Sequence, residues 1–165
     1  MAITRTSMVD DDGSGTVGTI INNAWKTELY NQIDGIGTLI GYTPTWTAGA
    51  AAIGNGALTG YYARVGNLVY VQLYLLVGST TNLGSGGWVF SLPIAMPNSA
   101  NSAPLAGGLC FIGGAYSVTG AYMVAATSIN PFAGHVGTAG VAMDATHPVA
   151  WTTGSWLNYH VLYTA

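Results

Sequence analysis

The sequence predicts a mainly β protein, an antiparallel β-sandwich or jelly-roll-like domain preceded by an N-terminal arm and a short helix. Three observations carry that expectation. Apolar residues alternate with period two after Gly41, whereas before it they recur every four residues. Gly, Asn, Pro and Ser punctuate the later part into short runs. Charge all but disappears there. The chain has 165 residues with three basic and six acidic side chains. Arg5, Asp10, Asp11, Asp12, Lys26, Glu28 and Asp34 lie early, leaving Arg64, Asp144 and the histidines for the rest. Globular surfaces are normally about a quarter charged. A surface made instead of Thr, Ser, Asn, Gly and Tyr has little charge repulsion to keep copies apart. The expectation is that other subunits cover much of it, or that the domain works within a large assembly.

The organisation follows in order, as residues 1–40 and 41–165. Residues 1–18 read as an extended arm ending in a Gly- and Asp-rich linker. Thr19 is a fair N-cap for a helix reaching Asp34. Ile21, Trp25, Leu29 and Ile33 make a one-sided stripe, because four-residue steps drift only about 40° on a helix. Gly35 and Gly37 end it. A helix this short is marginal alone, so the stripe requires a partner and is the candidate anchor. Gln32 interrupts a strict heptad, so a trimeric bundle is compatible with the stripe but not demanded by it.

Beyond Gly41, "ALTGYYARVGNLVYVQLYLLVG" reads as two strands around Gly66-Asn67, a two-residue hairpin signal. Val69, Val71, Leu73, Leu75 and Val77 form a core face. Leu68, Tyr70, Gln72, Tyr74 and Leu76 form the opposite face, apolar enough to be covered by a neighbouring subunit. Tyr70, Tyr74 and Leu76 are its candidate contacts. Further strands are expected in "GWVFSL", "LAGGLCFIGG", "SVTGAYMVAA", "FAGHVGTAGVAM" and "SWLNYHVLYTA". No amphipathic helix follows Gly41.

Several chemistries can be weighed from residue types. Asp10-x-Asp12-x-Ser14-Gly15 opens like a calcium loop, but the position of its closing glutamate is Ile21. Gly13-x-Gly15-x-x-Gly18 resembles a dinucleotide fingerprint, but aspartates rather than a buried strand precede it. The stretch reads as a hinge between anchor and display domain. Glycoside hydrolysis commonly needs two carboxylates, and the β part has only Asp144. Asp144, His147 and a serine could be drawn as a triad, but no G-x-S-x-G elbow is present. Cys110 with His135 or His160 has no more support, and Cys110 is expected to be a buried small hydrophobe. The three histidines lack zinc spacing. No enzyme, cofactor or metal site is expected.

Nucleic-acid binding has no basic patch to support it. The most apolar stretch is too short to span a membrane, and the start lacks the apolar core of a signal peptide. Among the tryptophans, Trp151 and Trp156 are candidate glycan contacts, since flat rings present apolar faces with polar tips.

The segment from Tyr42 to Pro93 resembles one recurring in tailed-bacteriophage virion proteins: head decoration or head-fibre proteins, minor tail proteins and tail-fibre tips. The shared marks are Tyr42-x-Pro44-x-Trp46, Gly54-Asn55-Gly56-x-Leu58-x-Gly60, Tyr62-x-Arg64-Val65-Gly66 and Trp88-x-Phe90-Ser91-Leu92-Pro93. "VDDDGSGTVGTIINNAWKTELYNQID" is similar to the linker and helix that precede such domains. Together the resemblance covers about the first 95 residues. It implies a homotrimer on the virion surface, made in the host cytoplasm and fixed through its N-terminal segment to the capsid or another virion protein. The short length favours capsid decoration or a head fibre. The alternative is a tail-fibre or minor tail tip that binds host glycan; a polysaccharide depolymerase stands behind both.

Overall fold

The computed structural model describes residues 23–97, 104–133 and 141–165. The chain divides into two compact units between Thr38 and Leu39.

In the first unit, α1 (Asn23–Asp34) is a 12-residue helix. It ends where the glycines stand. Gly35 N donates to Asn31 O, Ile36 N donates to Ile33 O, and Gly37 adopts φ +76°. Only glycine enters that left-handed region without strain.

Every described strand pairing in the second unit is antiparallel. Its strands are β1 (Ile40–Tyr42), β2 (Trp46–Thr47), β3 (Ala57–Val65), β4 (Leu68–Leu76), β5 (Val89–Ser91), β6 (Leu105–Ile112), β7 (Ala115–Ala125), β8 (Ser128–Ala133), β9 (Val141–Ala142) and β10 (Trp156–Thr164). They form one sheet in the order β1-β3-β4-β10-β6-β7-β8-β5-β2, with β9 beside β8. The two ends of that order, β1 and β2, are consecutive in the chain. The step from Tyr42 to Trp46 spans at most about 14 Å of extended backbone, whereas nine strands laid flat would cover nearly 40 Å. The sheet therefore curls until its ends meet. Ser91 N on β5 donates to Thr45 O, Thr45 N donates to Ser91 Oγ, and the Tyr42 hydroxyl reaches Ser91 O. The fold is thus mainly antiparallel β as expected, built as one curled sheet whose opposite walls share a core.

Alternation explains which face turns inward. In β4, Val69, Val71, Leu73 and Leu75 are buried. In β10, so are Leu157, Tyr159, Val161 and Tyr163. The two strands pair in register, Leu157 opposite Leu75 and Val161 opposite Val71. From the far wall come Trp88, Phe90 and Ile129. Trp88 lies 5.0 Å from Trp46 and 4.7 Å from Trp151 between ring centroids, so three tryptophans fill one part of the core.

Two glycines decide the shape locally. Gly66 has φ +60° while no non-glycine residue among the described residues has positive φ, which fits a II′ turn opening at Gly66 and joining Val65 to Leu68. Gly60 lies under the Tyr42 ring, where a Cβ would collide with both Tyr42 and Pro44. Its missing side chain lets Tyr42 lie flat on β3 and reach β5.

Candidate interaction surface

The face of the sheet turned away from the core holds the features not used by folding. Pairing registers place five rows side by side. From β3 come Thr59, Tyr61 and Ala63; from β4, Leu68, Tyr70, Gln72, Tyr74 and Leu76. From β10 come Trp156, Asn158, His160 and Leu162. Leu105, Gly107, Leu109 and Phe111 follow from β6, then Tyr116 and Val118 from β7. None of these residues is Asp, Glu, Lys or Arg. Many are apolar and open: Leu105 is 75% exposed, Val118 72%, Tyr116 67%, and Tyr61, Leu68 and Leu109 are also exposed.

One end of the face is aromatic. Trp156 stacks on Phe111 at 6.1 Å, meets Tyr116 edge-on at 6.0 Å and lies 6.5 Å from Tyr74. Phe111 and Tyr116 are themselves 5.0 Å apart. The arrangement follows from register, since Trp156 pairs with Phe111 and Phe111 with Tyr116. Nearer the other end, the Tyr70 hydroxyl and His160 Nδ1 are 2.6 Å apart and their rings stack at 5.8 Å. Between the two lies Asn158, whose Oδ1 is buried without a hydrogen-bond partner.

The residues expected to act are thus separated. Tyr70, Tyr74 and Leu76 share this face with Trp156. Trp151 does not: it is 5% exposed, packs against Trp88 and donates its ring N–H to His147 O. Its ring offers no face to a sugar, so the expected glycan contact at Trp151 is corrected to a core role, set by its loop folding inward. On α1, Leu29 and Ile33 are exposed, at 36% and 52%. Ile21 and the Trp25 side chain lie outside the described residues, as do His135, the arm and the hinge. Phe111 and Tyr116 were missed as contacts. Their signal was present in the alternation of "LAGGLCFIGG" and the residues after it, but the pairing that brings them to Trp156 is not local.

Asp144 and His147 do come together. Asp144 Oδ1 accepts from Thr146 N, Thr146 Oγ1 and His147 N at 2.6–2.9 Å, and Oδ2 lies 2.9 Å from His147 Nδ1. Desolvation is the largest influence on this carboxyl and raises its pKa. The hydrogen bonds from Thr146 and His147 together outweigh it and hold the group below its ordinary value. Four contacts within one loop describe a turn built on a carboxylate. Among the described residues, no three His, Cys, Asp or Glu side chains gather to hold a metal. Cys110 is fully buried, and burial pushes its thiol pKa up despite hydrogen bonds to Ser117. It remains a thiol packed in the core. No described helix is long and apolar enough to cross a membrane.

Among curated proteins, the chain is similar to the Mu-like prophage FluMu defective tail fiber protein of Haemophilus influenzae, 31% identical over 125 residues. The match covers 68% of this chain and 18% of that protein, so the chain spans under a fifth of its relative's length. No family model matches, and neither does any solved structure. The similarity supports a structural protein of phage origin at that coarse level.

Proposed function

We propose that this chain is a non-catalytic structural protein of a tailed-phage virion. In this reading its β unit assembles as a homotrimer and displays its surface. Its N-terminal segment, with Ile21, Trp25, Leu29 and Ile33, fixes it to another virion protein. The observation that carries the reading is the similarity to a prophage tail fibre protein, joined to a β unit with a broad apolar face free of formal charge. Such a face suits permanent assembly, because no ionic group must be desolvated to cover it. Between head and tail, the relative's name favours the tail fibre. The head-fibre placement rested on chain length, which loses weight when the match spans so little of the relative.

The test uses virions carrying either the full chain or a chain lacking residues 1–40, labelled with gold-conjugated antibody against the β unit. Gold at the tail with the full chain, and none with the truncated one, is the expected result. Gold on the capsid would move the protein to the head. Equal labelling of both particles would remove the anchor assignment.

A second reading, a glycan-binding tip, draws on the exposed ring of Tyr116 and the half-buried ring of Trp156. It predicts that Trp156→Ala abolishes binding to host-surface glycan while the trimer persists. Where copies of the chain cover this face, the rings are closed to sugar, so the two readings separate.

A further inference from the structure

We infer that copies of this chain meet through the outer face of β3, β4, β10, β6 and β7, and that His160 makes the contact acid-labile. The inference rests on the self-assembling reading above and names its surface and its regulation.

Five strands at about 4.8 Å spacing and nine residues at about 3.3 Å give a face of roughly 700 Å² per copy; a three-fold assembly shares it between two neighbours, so each pairwise contact takes about half a face from each copy and the trimer as a whole covers about 2,100 Å². The chemistry is also self-complementary. No row of the face contains Asp, Glu, Lys or Arg, so two copies of it present no charges of the same sign and no ion that must lose water unpaired. An acidic or basic partner would find nothing to pair with.

A three-fold arrangement uses the two sides of the face heterologously. The β3–β4 side of one copy, with Tyr61, Tyr70 and Tyr74, packs on the β6–β7 side of the next, with Leu109, Tyr116 and Val118. The central strand β10 then lies nearest the axis. Asn158 lies on that strand; its side chain is half-buried and its Oδ1 is already closed to solvent within one chain.

His160 occupies the same strand two residues on, which brings three imidazoles close together. The groups facing it are few. Gln72 on β4 and Gly107 on β6 are its cross-strand neighbours, and Tyr70 is its hydrogen-bond partner. The other titratable groups on the surrounding outer rows are Tyr61, Tyr74 and Tyr116, all neutral when protonated; no carboxylate is there to balance a cation. Histidine side chains gain charge in mild acid. Doubly protonated, His160 can no longer accept from Tyr70 through Nδ1, and three such cations are enclosed in an uncharged contact. The expected consequence is dissociation in acid with each β unit still folded.

The experiment is light scattering of the full chain at pH 8 and pH 5, with circular dichroism at each pH to confirm folding. Wild type is expected to be a trimer at pH 8 and mostly monomer at pH 5. His160→Phe, with His160→Gln as a second variant, should remain trimeric at both. Leu109→Arg and, independently, Val118→Asp replace exposed side chains and should give folded monomers at pH 8. If both charge variants still trimerise like wild type, copies meet elsewhere and the surface is wrong while self-assembly stands. If wild type is trimeric at both pH values, or the His160 variants dissociate in acid as wild type does, the acid switch is wrong. A wild-type monomer at pH 8 overturns the self-assembling reading and this inference with it.

Discussion

β4 and β10 each carry two apolar faces, and the faces have opposite fates. On one, Leu75, Leu157 and Val161 are at most 1% exposed. On the other, Leu76, Trp156 and Leu162 are only half-buried. Hydropathy already ranks them, since the second face also carries Gln72, Asn158 and His160. Curvature completes the difference: the sheet bends back on itself, so the concave face is covered by Trp88, Phe90 and Ile129 from its own far wall. The convex face can be covered only by something else. Apolar character of a strand face thus does not by itself bring burial; the curl decides which face the same chain covers.

The strongest break of this comparison is a pair of truncations on one strand. Leu157→Ala removes a side chain enclosed by the core and should destabilise the fold by about 2–5 kcal/mol. Leu162→Ala, on the outer face, should cost the isolated unit about 1 kcal/mol or less. Chemical denaturation of both variants, at a concentration where the chain is monomeric, checks the contrast; equal losses would mean that the convex face is already packed.

A smaller effect should appear in alkali. Tyr163 is buried on the concave face, and that burial pushes its pKa up to about 12, although its hydrogen bond to Ile94 O opposes the rise. Burial also raises Tyr42 and Tyr159. A raised pKa means that the folded state holds the phenolic proton more tightly than the unfolded chain. The stabilisation is therefore complete below the unfolded value near 10 and is lost as pH rises from about 10 towards 12. Melting temperature should fall over that window, and less steeply for Tyr163→Phe. Parallel slopes for the two proteins would exclude Tyr163 as a source.

The smallest effect belongs to the loop. Asp144 is held below its ordinary pKa by its turn, so its contribution is present above the unfolded value and fades as pH falls below about 4. Asp144→Asn should flatten the acid limb of the stability curve slightly; an unchanged limb would show the turn to be indifferent to charge.

Much of this architecture was legible in local pattern. The β3–β4 hairpin, the inward set of β4, the alternation of β10 and the glycine stop of α1 all depend on neighbours within a few residues. β8 was harder. It runs Ser128–Ala133 through Pro131, whereas the pattern suggested a strand from Phe132. Pro131 lacks the N–H that a strand interior normally uses, yet its carbonyl still accepts from Met143 N. The two-residue strand β2 carries too little alternation to be recognised, although its register with Phe90 brings Trp46 into the core.

Period-two alternation and glycine placement, both properties of short segments, were enough to specify a β unit and two apolar faces on its central strands. The scarcity of charge, a property of composition, was enough to expect an outer face free of Asp, Glu, Lys and Arg. That Trp151 goes into the core while Trp156 stays out, and that Trp156 meets Phe111 and Tyr116, were settled by strand order and curl. Those depend on pairing residues up to about a hundred positions apart, which no local window of sequence can encode.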